Sequence, residues 1–282
     1  MTPVLVLFFN VPPLTAVSSD LVASAVMKPV GSVVHLRRGT VNLGLVKWLC
    51  LGSVPGAFCG VLIARALGTG QQVQDVIRTA LGVALLLAAA GLTVRAYIRL
   101  VERARRRDGG AEPLPPGPPS VHLRPLPTVL LGAVGGIVVG LTSVGSGSLI
   151  IIALMALYPT LKASELVGTD LVQAVPLVAS AALGHLLFGD FKLDLTTSLL
   201  VGCVPGVWVG AHLSSRASGG LVRRALAFVL LASSLKLLHV SNTHTGIILL
   251  IVLLVAPVVW MLIRRHHGFP AYASRSGAKG SR

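Results

Sequence analysis

Acidic residues are scarce in this sequence: 9 Asp and Glu stand against 24 Lys and Arg, and all charged residues together make up only 12% of 282 positions. A soluble domain carries about 25% charge, so a water-exposed globular surface is excluded. Cysteine is scarce as well. Cys50, Cys59 and Cys203 lie inside apolar stretches with no CxxC or Cys/His spacing, which fits small packing residues and neither a disulfide framework nor a metal site. Also missing are HExxH, GxSxG and any close pair of acids within one apolar stretch, so nothing encourages a membrane-embedded enzyme, and no cofactor is expected. No cleavable signal peptide is visible, because the apolar start lacks a basic n-region and runs into Val11-Pro12-Pro13.

What is present is apolar length. Hydrophobic residues make up 54% of the chain, gathered at about 1–9, 14–35, 43–66, 75–100, 126–158, 164–187, 194–215, 221–238 and 245–263. A bilayer core of about 30 Å asks roughly 20 such residues of each helix, which predicts an all-α polytopic transmembrane bundle of about 8–9 hydrophobic segments. A β-barrel would alternate every second residue, and stretches such as 81–91 do not. The basic excess sits between and beyond the apolar runs. Its expected partner is the cytoplasmic leaflet and its lipids, with no nucleic acid.

Residues 102–124 break the pattern with Arg103, Arg105, Arg106 and Arg107 followed by Pro113, Pro115, Pro116, Pro118 and Pro119, a composition expected to form a linker. The halves on either side are copies. A shift of 150 aligns 17–60 with 167–210 at 15 identities in 44 positions, placing Asp20-Leu21-Val22 on Asp170-Leu171-Val172 and Val54-Pro55-Gly56 on Val204-Pro205-Gly206. This gives a first repeat over 1–101, a cytoplasmic linker over 102–124, a second repeat over 125–240, an extra helix over 241–264 and a basic tail over 265–282. Duplication in a membrane protein points to a transporter whose site lies between the repeats.

Charge sets the orientation. The arginine-rich linker is expected inside. The 33 residues 126–158 would form a helix of about 50 Å, too long for one span, and Gly145-Ser146-Gly147-Ser148 sits in their middle. A hairpin broken at the glycines places the basic C-terminal half inside as well, and makes the repeats inverted.

Val144-Gly145-Ser146-Gly147-Ser148, Gly168-Thr169-Asp170, His185, Gly189 and Gly202-x-x-Pro205-Gly206-x-x-x-Gly210 together resemble the sulfite exporter TauE/SafE family of membrane transporters. The resemblance covers nearly all of both halves. It implies a glycine-rich turn before an apolar helix in each repeat. Serines replace two glycines in the second half, while the first half lacks the turn and is expected to be truncated by a half-hairpin. As the substrate class, the resemblance implies sulfite or a related sulfur-containing or organic anion.

The candidate site follows. Gly145, Ser146, Gly147 and Ser148 offer amide and hydroxyl donors where a helix resumes, a setting that holds oxyanions, although close helix packing is the competing use. Thr169 is expected to join Ser146 and Ser148 on the anion, with Ser18 and Ser19 on the opposite face. Asp20 and Asp170 are open between coupling to H+ or another ion, organising the site, and capping a helix start. Lys28, two turns beyond Asp20, could pair with that acid or snorkel. His35 and His185 suit caps or interfaces better than relays. Pro55, Gly56, Pro205 and Gly206 are candidate hinges. The resulting expectation is a multi-pass secondary transporter of a small anion in the inner cell membrane, with a membrane enzyme or a non-transporting scaffold as the alternatives.

Overall fold

In the computed structural model, residues 1–37, 39, 41–68, 70–107, 123–144, 149–158, 161, 163–188, 191–216 and 219–267 are described. They form ten helices and no strand: α1 (Thr2–Phe8), α2 (Pro13–Arg37), α3 (Leu43–Ala66), α4 (Gln71–Arg107), α5 (Pro125–Thr142), α6 (Leu149–Leu157), α7 (Ala163–Phe188), α8 (Leu193–Arg216), α9 (Gly219–Leu237) and α10 (Asn242–His266). Six of these are long and apolar enough to cross a membrane: α2, α3, α4 over Gln71–Ile98, α5, α7 over Glu165–Phe188, and α10. The chain is a polytopic α-helical membrane protein.

Local chemistry fixes several ends. Asn42 caps α3 by accepting from the amide of Leu45, and Ser241 caps α10 by accepting from that of His244, each satisfying a donor the helix cannot pair itself. Proline opens α5 within its first two positions, where no amide is needed. Good helix formers carry α4 through Arg107, so it absorbs the arginine cluster expected at the start of the linker, while 108–122 lie outside the described residues.

The long segment 126–158 does break. α5 stops at Ser143, which adopts a left-handed conformation (φ 55°), and α6 begins at Leu149. Tyr158, just past α6, then returns to the start of α5: its hydroxyl accepts from the amide of Arg124 at 2.9 Å and lies 2.6 Å from Oγ1 of Thr128. The two ends of the segment meet, so the chain doubles back.

Some helix bounds correspond under the shift that aligns the sequence halves. Shifted by 150, α3 (43–66) falls on α8 (193–216) residue for residue, and α2 (13–37) falls on α7 (163–188). α2 and α7 pack antiparallel, since Ser18 meets His185 at one end while Ser32 donates to the carbonyl of Leu171 at 2.9 Å toward the other.

The closest contact joins α3 to α5 and uses almost no side chain. Gly52, Gly56 and Gly60 face the backbone of Val129, Ala133 and Ile137, and Gly132, Gly136 and Gly140 face that of Leu49, Ser53 and Ala57. A Cβ built on Gly56 or Gly60 would lie 2.5 or 2.6 Å from a carbonyl oxygen of α5, so no larger residue fits. In lipid the hydrophobic effect does not pull helices together. Packing of this kind, with small residues admitting backbone to backbone, does. By contrast α10 buries nothing across its apolar window and meets mainly α9.

Candidate functional site

Among the described residues, a buried polar cluster surrounds each of the two matched acids, Asp20 and Asp170. The first is built by α1, α2 and the C-terminal end of α5. Asp20 is 6% exposed, and its Oδ2 accepts from Oγ1 of Thr2 at 2.6 Å, the amide of Thr2 at 3.2 Å, Oγ of Ser143 at 2.9 Å and the Met1 amino group at 3.4 Å. The two hydroxyl oxygens are themselves 2.7 Å apart. Two hydroxyl hydrogens therefore serve three oxygen–oxygen contacts, and an ionised Asp20 claims both. Asp20 thus pins the first residue of the turn between α5 and α6 to a helix of the other repeat.

Gly145, Ser146, Gly147 and Ser148 lie outside the described residues, bounded by Val144 and Leu149. What is described on the near side of that turn is hydrogen-bonded inward: Oγ1 of Thr142 meets the carbonyls of Val138 at 2.6 Å and Val144 at 3.2 Å.

Ser18 and Ser19 precede Asp20 on α2. Oγ of Ser18 lies 2.8 Å from the carbonyl of Leu14 and 2.9 Å from Nδ1 of His185, whose Nε2 lies 2.8 Å from the carbonyl of Gly140. A carbonyl only accepts, so Nε2 carries the hydrogen. With a neutral ring, Ser18 must give its single hydrogen to Nδ1; with both ring nitrogens protonated, Nδ1 donates to Ser18 and frees that hydrogen for Leu14. Buried His185 therefore joins α2, α5 and α7 at one point. Ser19 is fully buried, and its hydroxyl has no hydrogen-bond partner among the described residues.

The second group surrounds Asp170 on α7. Oγ1 of Thr169 accepts from the amide of Asn42 at 3.0 Å, completing the N-terminus of α3. Gln173, one turn beyond Asp170, donates from Nε2 to Oγ of Ser53 at 2.7 Å. Oδ1 of Asp170 and Oε1 of Gln173 are buried without a hydrogen-bond partner among the described residues. Lys28 lies within electrostatic reach of both Asp170 and Asp20.

The structure keeps these groups apart. Ser18 and Ser32 are fourteen positions apart on α2, about 20 Å along the axis, and Thr169 lies at the Ser32 end. Thr169 is therefore not brought to Ser18 and Ser19. Gly56 serves the α3–α5 contact, whereas Gly206 has nothing within 4 Å, and the side chain of Pro205 lies outside the described residues. Thr2, Ser143, Ser53 and Gln173 were not anticipated. Gln173 alone carried a signal, as an amide in an apolar run one turn from Asp170.

A bundle of apolar helices with a broken hairpin and buried polar clusters at helix ends defines a membrane-transporter architecture. The chain belongs to the sulfite exporter TauE/SafE family, whose model matches residues 1–237. Over 239 residues it is 38% identical to "Probable membrane transporter protein YjnA" of Bacillus subtilis (strain 168), covering 84% of this chain and 90% of that protein. "Probable membrane transporter protein YdhB" of the same organism is 25% identical over 211 residues, 75% of this chain and 79% of its own length. No solved structure matches.

Proposed function

We propose that this membrane transporter is a secondary carrier in the inner cell membrane that moves a small anion, sulfite or another sulfur-containing or organic anion, by alternating access. The linker and C-terminus lie on the cytoplasmic side. The observation that carries the reading is the grip of Asp20 on Ser143, which ties the end of α5 to α2. The sequence between α5 and α6 carries the hydroxyls of Ser146 and Ser148, suitable donors for an oxyanion.

Asp20 supplies the coupling in this reading. While ionised, it repels an anion and holds the hydrogens of Thr2 and Ser143. Once protonated, it does neither, and both hydroxyls can turn to the substrate. Anion and proton then bind together. Asp170 serves the second half of the cycle, near Lys28.

Counterflow in proteoliposomes tests this. Labelled sulfite and a labelled sulfonate should exchange, whereas neither an enzyme nor a scaffold would show exchange. Ser146→Ala with Ser148→Ala should weaken the apparent affinity. Asp20→Asn, which mimics the protonated acid, should keep exchange but lose acceleration by an imposed pH gradient. Normal gradient-driven uptake by Asp20→Asn would refute the coupling, and unchanged affinity in the double serine variant would refute the site.

A further inference from the structure

Two acceptors on α7 lack a donor among the described residues. Oδ1 of Asp170 and Oε1 of Gln173 belong to residues 3% and 0% exposed, one turn apart on one face of the helix. A buried polar atom left unpaired is costly, so two on one face mark a place built to meet a donor. Gln173 is held there, because its Nε2 is spent on Oγ of Ser53 at 2.7 Å. A proton added to Asp170 turns its carboxyl into a donor that Oε1, one turn away, can accept.

The positive charge near this pair comes from two other helices. Oγ of Ser32 lies 2.9 Å from the carbonyl of Leu171 and 3.0 Å from that of Lys28, one turn earlier, so half-buried Lys28 lies on the face of α2 turned to α7. The antiparallel register that sets Ser18 against His185 and Ser32 against Leu171 makes Lys28 level with Val175, two positions or about 3 Å beyond Gln173. Asp20 lies eight positions back along α2, about 12 Å. Lys28 is within electrostatic reach of Asp170 and of Asp20, and Arg95 of α4 is within reach of Asp170. His35, level with Gly168, and Glu165 lie beyond Asp170 toward the start of α7. From α3 the cluster receives the uncharged Asn42 and Ser53, whereas Lys47 is exposed.

Given the reading of the chain as an anion carrier, on which this rests, we propose that Lys28 holds the negative charge of the solute between the two matched acids. A proton taken up by Asp170 and donated to Gln173 hands the charge of Lys28 over to that solute. While ionised, Asp170 engages Lys28 and repels a second anion. Once protonated, it meets the orphaned amide oxygen instead, and the positive charge of Lys28 and Arg95 is left for a sulfonate or sulfite oxygen to balance. Proton and anion thus enter this cluster together, and the unpaired acceptors of α7 are satisfied in the loaded state.

Counterflow of a labelled alkanesulfonate, whose charge does not titrate, reads the half-saturating concentration in proteoliposomes. Lys28→Gln should raise it about tenfold or more, and Lys28→Arg should recover most of the loss. In a chain with its three native cysteines changed to alanine, Lys28→Cys should be equally weak. Modification with an aminoethyl thiosulfonate, which restores the charge, should bring affinity back, and the uncharged methyl reagent should not. The half-saturating concentration should also rise with pH, because loss of the proton returns Lys28 to Asp170. In an Asp20→Asn background the rise that remains should vanish with Asp170→Asn.

Native affinity in Lys28→Gln, or a charged reagent that does no better than the neutral one, overturns the proposal and leaves the carrier reading intact. So does a pH dependence untouched by Asp170→Asn, a measurement that stands even where Lys28→Gln does not fold. If the unaltered chain exchanges no anion, the carrier reading falls and the role of Lys28 falls with it.

Discussion

Removing the hydroxyl of Ser143 should expose how the turn is held. Its Oγ lies 2.9 Å from Oδ2 of Asp20, in a cluster where Thr2 is fully buried and Asp20 is 6% exposed. A hydrogen bond to a charged group contributes about 1.5–3 kcal/mol, a neutral one about 0.5–1.5. Ser143→Ala should therefore cost about 2 kcal/mol in the native chain and about 1 when Asp20 is already asparagine, a coupling of about 1 kcal/mol between residues 123 positions apart. Asp20→Asn alone should cost more, about 3 kcal/mol, since three other donors lose the same charge. Reversible unfolding of the four proteins in mixed micelles with sodium dodecyl sulfate, followed by tryptophan fluorescence, gives the cycle. If Ser143→Ala costs the same in both backgrounds to within about 0.3 kcal/mol, the hydroxyl does not donate to the carboxylate and the anchoring argument fails.

Gly136→Ala should cost about 1–3 kcal/mol, because the added carbon meets the backbone of Ser53 and Ala57, while Gly246→Ala on α10, with nothing within 4 Å, should change stability by less than about 0.5. Thermal unfolding of the pair distinguishes the two. Ser53→Ala leaves the amide of buried Gln173 with both ends unpaired and should cost about 1–3 kcal/mol; Gln173→Leu removes the unpaired oxygen as well and should be close to neutral, a contrast in the same unfolding assay. Tyr158→Phe should loosen the return of the hairpin, seen as faster amide hydrogen exchange at Thr128 and in the first turn of α5 without a comparable change in α10.

Much of this architecture is written in local pattern. Apolar runs bounded by glycine, asparagine or proline place α3 and α7 to within a residue or two, because bilayer thickness and capping act on neighbours in sequence. The break in 126–158 is legible for the same reason: residues that weaken a helix stand in the middle of a run too long to need them. The arginine cluster misleads, since its composition opposes burial but not helicity, and α4 runs on through it. The site is less legible. That Asp20 meets Ser143, that Thr169 completes the start of α3, and that His185 reaches Ser18 are each consequences of helices meeting across more than a hundred positions, which no local periodicity encodes. Equal residues in the two repeats also suggest equal roles, yet Asp20 has four donors and Oδ1 of Asp170 has none, because the helices around them differ.

The glycine contact between α3 and α5 constrains any rocking motion. The two helices belong to different copies of the repeat, and their backbones interlock at six places, so sliding one past the other would require every tooth of that zipper to disengage together. In the alternating-access cycle proposed above, α3 would therefore travel with α5, and the body that holds them would draw on both halves of the sequence.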